Sequence, residues 1–347
     1  MVSQGNAVKR LRLAFVGCGG HSLNLMETTP RIPEIDLVAV CDVQAGLAES
    51  VARRAGALAW YADFQKMLDA EKPDAVAVVG PPMMGIEIGS AVLDAGFHLY
   101  VEKPIGRNSR EALPLLEAAR RSDKKTQVGF NQRHAQVMRH GKRLVDDPAF
   151  GAPTYMESRH WQAGAVQQCW GIHDEQYAWL MLHGIHAVDM LRYVFGEVVE
   201  VHTLTSRAAD SGSLVSLCRF ANGANGVLNL HSSSGDDDQM FEAVGVGRKV
   251  RVSGFDKLTY HNQDRWAEGL SSAPQGNFLQ LQHSISRGDR MGYGTELRDF
   301  ATALLDGGTP FPSIAEGFES TRLAEAIYAS ALNGRPMHVQ DAPVIEV

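Results

Sequence analysis

The sequence predicts an α/β protein with two domains, a doubly wound parallel sheet followed by an α/β domain with an open, mainly antiparallel sheet. Its 347 residues suffice for about two domains. Short apolar runs alternate with helical patterns up to about residue 130, which is typical of a parallel sheet covered on both faces. Beyond residue 150, several runs alternate apolar and polar residues, as in an antiparallel sheet with one exposed face. We therefore expect a first domain at 1–130 and a second at 131–347.

Periodicity and turn residues place the individual elements. The strands expected in the first domain are 11–17, 35–42, 74–80, 97–103 and 126–131. Its expected helices are 44–55, 63–71, 84–95 and 108–121, the last capped by Asn108 or Ser109. The second domain is expected to contain a long helix at 174–195, strands at 198–207, 213–220, 226–234, 240–247 and 249–254, and helices near 294–306 and 314–333.

The composition is that of a globular protein. Hydrophobic residues make up 44% and charged residues 21% of the chain. The 33 basic and 40 acidic residues give a net charge of −7, so neither nucleic acid nor an anionic membrane is an expected partner. No window approaches the ~18 uninterrupted apolar residues of a membrane span. The early apolar run at 13–16 is too short for the core of a signal peptide.

The four cysteines are widely separated and form no Cys-x-x-Cys pair. They are Cys18, Cys41, Cys169 and Cys218. This spacing argues against a disulfide framework and against a thiolate zinc site. We therefore expect reduced thiols in a cytoplasmic protein.

A glycine-rich loop, Gly17-Cys18-Gly19-Gly20-His21-Ser22, directly follows the first predicted strand. Gly17 permits a tight turn, and Gly19 lets the backbone approach a pyrophosphate at the N-terminus of the next helix. Ser22 stands where the dinucleotide-binding motif usually has glycine or alanine. A purely structural glycine turn is the alternative, but the order strand, loop and helix favours a dinucleotide.

Asp42 ends the next predicted strand, about 20 residues beyond the loop. A carboxylate here can accept hydrogen bonds from both ribose hydroxyls of an adenosine, and it would repel the 2′-phosphate of NADP. No arginine or lysine follows within residues 43–45. Asp42 therefore favours NAD over NADP, the alternative being a capping or surface role.

The triplet Glu102-Lys103-Pro104 ends the fourth predicted strand, 97–103. Ligands of open α/β sheets bind outside the carboxyl ends of the strands. Pro104 restricts Lys103 to an extended backbone, which fixes the direction of its side chain. Lys103 is thus a candidate functional residue, although most lysines are solvated surface groups.

Motifs along nearly the whole chain form one pattern. They are Gly17-x-Gly19, Asp42, the AVAVVGPP run at 75–82, Glu102-Lys103-Pro104, Gly129-Phe130-Asn131-Gln132-Arg133, Glu296 with Phe300, and residues 326–330 before Gly334-Arg335-Pro336. This pattern resembles the glucose–fructose oxidoreductase / inositol dehydrogenase (Gfo/Idh/MocA) family, and the Glu-Lys-Pro triplet is its most specific element. The resemblance implies an N-terminal Rossmann domain, bound NAD(P) and hydride transfer on sugars, polyols or inositol-like molecules. It also implies a homodimer or homotetramer that assembles through the C-terminal sheet.

The same resemblance implies the site residues. Lys103 would act with a histidine of the long second-domain helix, a position that His186 matches, and His183 is a further catalytic candidate. An imidazole titrates near neutral pH and can take the hydroxyl proton, while a lysine can orient the reacting oxygen and the nicotinamide ribose. The expected cofactor-binding residues are Gly17, Gly19, Gly20, His21, Ser22, Asp42, Gly80, Pro81, Pro82, Glu102, Lys103 and Gln132. The expected substrate-binding residues are Lys103, His183 and His186, to which residue type alone adds Arg133 and Arg159 as polar contacts and Trp161 as a ring that could stack on a sugar-like molecule.

Two positions depart from the family pattern. Leu182 stands where the family usually has an aspartate, four residues before its histidine, and Gly85 stands where a histidine is common. On a regular α-helix, residues 182, 183 and 186 share one side, so His183 is a candidate for replacing the missing carboxylate. Asp174 and Asp189 are further candidates, although Asp189 also matches a structural position of the family.

These departures leave alternatives open beside an NAD-dependent oxidoreductase. Leu182 motivates a non-catalytic dinucleotide-binding sensor or regulatory protein. A dihydrodiol- or imine-type reductase of the same fold is a third possibility. No metal is expected, because His183 and His186 lack a third well-spaced ligand.

Overall fold

The computed structural model describes residues 9–164, 167–208, 211–262, 276–280 and 286–347. The chain forms two compact units. The first contains the residues up to Ile105 together with Ala112–Gly129 and Gly292–Glu316. The second contains Gly106–Glu111, Phe130–Met291 and Gly317–Val347. A segment distant in sequence therefore returns to the first unit.

The first unit is built on a six-stranded sheet. Its strands are β1 (Leu11–Val16), β2 (Ile35–Cys41), β3 (Ala59–Tyr61), β4 (Ala75–Val78), β5 (His98–Val101) and β6 (Thr126–Val128). They lie in the order β3-β2-β1-β4-β5-β6, and all pairs are parallel. All four residues of β4 are buried, as expected for a strand covered on both faces. The predicted doubly wound parallel sheet is confirmed. The edge strand β3 was not predicted, because three half-exposed residues give no recognisable period.

The second unit is built on a nine-stranded sheet. Its strands are β7 (Pro153–Gln162), β8 (Val198–Ala208), β9 (Ser211–Phe220), β10 (Asn225–Ser232), β11 (Asp238–Gly245), β12 (Arg248–Ser253), β13 (Lys257–Asn262), β14 (Gly276–Gln280) and β15 (Met337–His338). Their order is β14-β13-β12-β11-β7-β10-β9-β8-β15. Only β7 and β10 pair in parallel among these strands; the other pairs are antiparallel. The predicted mainly antiparallel sheet is confirmed.

The helices accompany both sheets. They are α1 (Gly20–Met26), α2 (Ala45–Ala55), α3 (Phe64–Glu71), α4 (Pro82–Asp94), α5 (Ser109–Arg121), α6 (Gln136–Asp146), α7 (Glu175–Trp179), α8 (Ile185–Phe195), α9 (Arg287–Met291), α10 (Tyr293–Leu305) and α11 (Ile314–Asn333). Helices α2 to α5 begin and end within two residues of the predicted bounds. Asn108 caps α5, since its side-chain oxygen accepts a hydrogen bond from the N–H of Glu111 at 2.9 Å.

Helices α6 and α8 cover one face of the second sheet. Helix α6 approaches so closely that a Cβ on Gly141 would lie 2.5 Å from the ring of Phe241 in β11. Helix α8 is tied to β7 because the Ser158 hydroxyl donates a hydrogen bond to the Ala187 carbonyl at 3.0 Å. Ser158 is buried, so this face of β7 belongs to the core of the second unit.

The predicted helix at 174–195 is interrupted by one π-helical turn at Leu180–Gly184, between α7 and α8. The helix is therefore not a regular α-helix across residues 182 and 183, and the π turn changes their angular spacing to residue 186. Sequence periodicity gives no signal for such a turn. π turns within helices occur frequently at functional sites.

Candidate active site

The glycine-rich loop leaves β1 through a turn that requires glycine at position 17. Gly17 has a φ of +96°, and a Cβ there would lie 2.1 Å from the backbone oxygen of Val79. Its N–H donates a hydrogen bond to the Cys41 carbonyl at 2.8 Å. The carboxyl ends of β1, β2 and β4 thus converge on this residue, and their close approach fixes the loop.

Gly19 and Gly20 are glycines for a different reason. Among the described residues, no atom lies within 4 Å of a Cβ built on either of them. Packing does not require glycine at these positions, so the backbone at the start of α1 is accessible to a ligand. This cradle fits the pyrophosphate of a dinucleotide.

Ser22 closes the glycine-rich loop from inside. It is buried, and its hydroxyl donates a hydrogen bond to the Gly17 carbonyl at 2.6 Å. The hydroxyl therefore stabilises the turn in place of the close helix–strand packing that the motif's third glycine usually provides. This contact explains why serine is compatible with the loop.

Asp42 lies beside the same loop. Its two carboxylate oxygens accept hydrogen bonds from the N–H groups of Cys18 and Gln44, each at 2.9 Å. These bonds hold the carboxylate at the carboxyl end of β2. Burial and the charge of Asp42 raise the pKa of the Cys18 thiol to about 12, so this cysteine stays a neutral packing group.

Glu102 connects the loop to Lys103. Its carboxylate is buried and accepts hydrogen bonds from the Tyr100 hydroxyl and the Lys103 N–H, both at 3.1 Å. His21 Nε2 lies 3.1 Å from the same carboxylate. Burial alone would raise the pKa of Glu102, but His21, Lys103 and Tyr100 together lower it. An ionised Glu102 therefore ties the glycine-rich loop to the backbone of Lys103, a half-buried residue.

The turn after β4 is tightly packed. Pro82 is the first residue of α4, and a Cβ on Gly80 would lie 2.7 Å from the sulfur of Met84. Gly85 is buried, and its Cβ would lie 3.0 Å from a methyl group of Val101 in β5. A histidine, common at this position of the family, would require Val101 to move.

Three histidines and a tryptophan come together in the second unit. His160 of β7 is buried, and its ring lies 6.3 Å from that of His186, nearly parallel at 8°. The His183 and Trp179 rings lie 6.4 and 6.1 Å from that of His160. The structure thus brings the predicted residues His183 and His186 together, in and beside the π turn. His160 is not among the site residues expected from the sequence, and its alternation with Arg159 was the available signal for its inward orientation.

Arg159 and Trp161 lie on the opposite face of the second sheet. Neighbouring residues of a strand point to opposite faces, and Ser158 and His160 face α8. Arg159 instead forms ion pairs with Glu157 and Asp238 at 2.8 and 3.1 Å. Its guanidinium also lies 4.7 Å from the Trp161 ring. The structure therefore does not bring these two residues to His183 and His186.

Arg133 is buried within the second unit. Its guanidinium donates two hydrogen bonds of 2.6 Å to Asp189, which also accepts one from the Ser320 hydroxyl at 2.9 Å. Asp189 therefore anchors Arg133 and α11. Asp174 caps α7 and pairs with Arg207 at 3.0 Å.

Gln132 borders a cavity of the second unit. Its side-chain amide donates a hydrogen bond to Gln239 at 2.9 Å. Gln239 lines a cavity of about 200 Å³ with Asp237, Gly254, Phe255, Asp256, Arg290 and Met291. Carboxylates, an amide and a guanidinium in one lining suit a ligand rich in hydroxyl groups.

Family models match most of the chain. Residues 11–130 match the oxidoreductase family with an NAD-binding Rossmann fold, and residues 142–339 match the C-terminal α/β domain of the same family. The protein belongs to the Gfo/Idh/MocA oxidoreductase family. It is therefore an oxidoreductase, and its cofactor is NAD.

Several characterised members of the Gfo/Idh/MocA family are similar over nearly their full length. D-apiose dehydrogenase of Paraburkholderia graminis is 25% identical over 97% of this chain and 93% of its own. The NAD(+)-dependent scyllo-inositol 2-dehydrogenase of Bacillus subtilis is 23% identical over 95% and 96%. Levoglucosan dehydrogenase of Pseudarthrobacter phenanthrenivorans is 24% identical over 87% and 88%.

Solved structures of the family share the fold. A dehydrogenase from Chromobacterium violaceum superposes with a TM-score of 0.86 at 23% identity, over 94% of this chain and 96% of its own. Levoglucosan dehydrogenase in complex with NADH superposes with a TM-score of 0.85 at 20% identity, over 95% of this chain and 99% of its own. These likenesses show that the fold extends through both units.

Three further properties concern the described part of the chain. It contains no group of three or more histidine, cysteine, aspartate or glutamate side chains arranged to hold a metal ion. No helix in the described ranges combines the length and apolarity needed to cross a membrane. The thiols of Cys18, Cys41 and Cys218 are in no disulfide bond.

Proposed function

We propose that this protein transfers a hydride between NAD and a carbon–oxygen group of a sugar, polyol or inositol-like substrate. The observation that supports it most is the link from the glycine-rich loop through Glu102 to Lys103, in a chain of an NAD-binding oxidoreductase family. The names of the similar dehydrogenases refer to D-apiose, scyllo-inositol and levoglucosan, all of which carry several hydroxyl groups.

Lys103 and His186 are the proposed catalytic residues. NAD supplies the hydride acceptor when an alcohol is oxidised. The chain must supply a base for the hydroxyl proton, and we assign this role to the His186 imidazole because imidazoles titrate near neutral pH. Lys103 would donate a hydrogen bond to the reacting oxygen and hold it in line with the nicotinamide.

His183 and His160 are proposed to take the place of the carboxylate that Leu182 replaces. The His160 ring lies 6.3 Å from that of the proposed base, nearly parallel to it, and 6.4 Å from that of His183. A neighbouring imidazole can hold the tautomer and orientation of a catalytic histidine. The Arg133 guanidinium donates two hydrogen bonds to Asp189 inside the unit. We therefore propose that Arg133 stabilises the structure around the site and does not contact the substrate directly.

The cofactor is proposed to bind at Gly17, Gly19, Gly20, His21, Ser22, Asp42, Gly80, Pro81, Pro82, Glu102, Lys103 and Gln132, with NAD preferred to NADP. Replacing Asp42 with serine is expected to weaken NAD binding roughly tenfold, because a charge-assisted bond to the ribose is lost. The same change is expected to raise the use of NADP relative to NAD by roughly tenfold or more, since the repulsion of the 2′-phosphate disappears. Fluorescence titrations with NADH and NADPH measure both effects.

The matched control is Asp36→Asn, which removes a carboxylate charge at the other end of β2, where Asp36 pairs with Arg10 at 2.9 Å. It is expected to leave both affinities unchanged. An unaltered NADPH-to-NADH preference in the Asp42 variant would contradict the role proposed for this carboxylate.

Leu182 supports a second candidate, a dinucleotide-binding sensor without catalysis. A panel of sugars, polyols and inositols followed at the NADH absorbance band separates the two proposals. Turnover with any member, lost in His186→Phe, supports the enzyme. NADH binding without turnover across the panel supports the sensor.

We propose self-association through the outer face of the second sheet, in a homodimer or homotetramer. Leu204, Val215 and Leu217 are exposed there, and Leu204 is paired directly with Val215 between β8 and β9. Leu217→Glu is expected to lower the mass found by sedimentation equilibrium, whereas Leu332→Glu, at an equally exposed leucine on α11, is not. An identical mass for both variants would reject this surface.

Two organisational proposals complete the assignment. Residues 1–130 would hold the dinucleotide, and 131–347 would bind the substrate and carry the oligomer contacts. A cytoplasmic, reducing location is proposed, which the thiols of Cys18, Cys41 and Cys218 fit because they form no disulfide bond.

A further inference from the structure

A buried acidic cluster extends from the Glu102 carboxylate to α10, and two of its members, Tyr100 and Glu296, have no part in the reaction proposed above. It consists of Glu102, Tyr100 and Glu296, a residue in the first turn of α10. Tyr100 and Glu296 are fully buried, and Glu102 is 6% exposed. A Cβ on Gly129 would lie 2.5 Å from the Glu102 carboxylate and 2.7 Å from the Tyr100 hydroxyl, so backbone closes one side of the cluster.

The two carboxyl groups differ sharply in their hydrogen-bond partners. The Glu102 carboxylate accepts hydrogen bonds from the Tyr100 hydroxyl and the Lys103 N–H, and it lies 3.1 Å from His21 Nε2. Within the described residues, neither carboxyl oxygen of Glu296 accepts a hydrogen bond of standard geometry. Glu296 is instead anchored through its backbone carbonyl, which accepts a bond from the Gln127 side chain at 3.1 Å.

Two buried carboxyl groups beside one phenol cannot both be ionised. The negative charge resides on Glu102, because hydrogen-bond donors surround its carboxylate. Burial first, and then the charge of Glu102, raises the pKa of Glu296 well above its ordinary value. The groups facing it are Tyr100, Glu102 and Lys103 at the end of β5 and Asp299 on its own helix, and His21 reaches it only through Glu102.

We propose that Glu296 is a positioning residue that stays protonated and, through Tyr100, holds the Glu102 carboxylate that anchors the Lys103 backbone. The Glu296 O–H donates to the Tyr100 oxygen, and the Tyr100 O–H donates to Glu102. These hydrogen bonds therefore connect α10 to Lys103 and converge on Glu102, which accepts from both the Tyr100 hydroxyl and the Lys103 N–H. Its importance for turnover rests on the function proposed for Lys103; the protonation of Glu296 does not.

The kinetic test compares Glu296→Gln with Glu296→Leu and Tyr100→Phe. Glutamine is neutral and keeps an N–H donor towards Tyr100, so its kcat is expected to stay within about twofold of the wild type. Leucine or phenylalanine breaks the chain, and loss of one hydrogen bond of ordinary strength should lower kcat roughly tenfold, with the KM for NAD changed less than threefold. An equal loss in glutamine and leucine variants, or an unchanged kcat in the leucine and phenylalanine variants, would overturn the proposal.

The stability test needs no turnover. An acid whose pKa is higher in the folded than in the unfolded protein loses stabilising effect as pH rises above the unfolded value of 4.5. The melting temperature of the wild type should therefore fall relative to that of Glu296→Gln between about pH 5 and pH 8. If the melting temperatures of the wild type and Glu296→Gln changed in parallel with pH, Glu296 would not hold the proton and the proposal would be overturned.

The control for the stability test is Asp306→Asn, which removes a carboxylate at the exposed end of α10. Its curve should run parallel to that of the wild type. If Lys103→Met keeps full turnover, the proposed function fails, but these melting curves still decide where the proton lies.

Discussion

Replacing Lys103 with methionine is expected to lower turnover by a factor of about 10² to 10⁴, the range for loss of a positioned proton-transfer or orienting group. Methionine preserves the length of the side chain, and the Lys103 N–H that binds Glu102 remains. NADH affinity is therefore expected to change less than the rate does. Steady-state kinetics with a substrate from the panel and NADH fluorescence titration measure the two quantities separately.

Lys125→Met provides the matched control for this variant. Lys125 is also half-buried, but it precedes β6 and thus lies at the amino ends of the strands, away from the edge where ligands of such sheets bind. Its turnover should equal that of the wild type. Normal turnover in Lys103→Met would refute the catalytic assignment, whereas an equal loss in both variants would point to a general structural effect.

The second large effect is expected at Gly17. Alanine there would combine an unfavourable backbone conformation with a Cβ only 2.1 Å from the Val79 oxygen. Since that neighbour is backbone and cannot rotate away, we expect a loss of about 3 kcal/mol or more in stability, together with loss of NADH binding. Thermal melting and NADH titration record both changes.

Gly19→Ala separates folding from binding, because a Cβ at position 19 meets no described atom within 4 Å. The melting temperature should stay near that of the wild type, while NADH binding weakens because the methyl group occupies the path of the pyrophosphate. If Gly19→Ala binds NADH normally, the cofactor does not approach the loop at that residue. A stable Gly17→Ala protein would contradict the packing argument.

Much of the first unit was predictable because its signals are local. Apolar runs, caps and glycines report on neighbouring residues, so the parallel sheet and helices α2 to α5 could be placed from the sequence. The role of Ser22 could not, because its bond to the Gly17 carbonyl depends on how the loop closes. The family resemblance supplied Lys103 and His186, whose roles remain proposals.

The second unit was less predictable where packing decides the geometry. The π turn at Leu180–Gly184 leaves no periodic signature, so the sequence predicted one regular helix where the structure has an interrupted one. Arg159 and Trp161 were grouped with His186 on residue type alone. Alternation along β7 places them on the other face, while His160 lies against His186.

The sequence by itself determined the fold class, the glycine-rich loop, the acidic residue after β2 and the Glu102-Lys103-Pro104 triplet, since each is encoded within a few adjacent residues. Only the tertiary structure decided which side chains meet. Glu102 and Glu296 are almost 200 residues apart in the chain, yet the return of α10 to the first unit buries them around one phenol. Burial makes the charge of one carboxyl depend on the other, and such a dependence cannot be inferred until the fold has placed the two groups together.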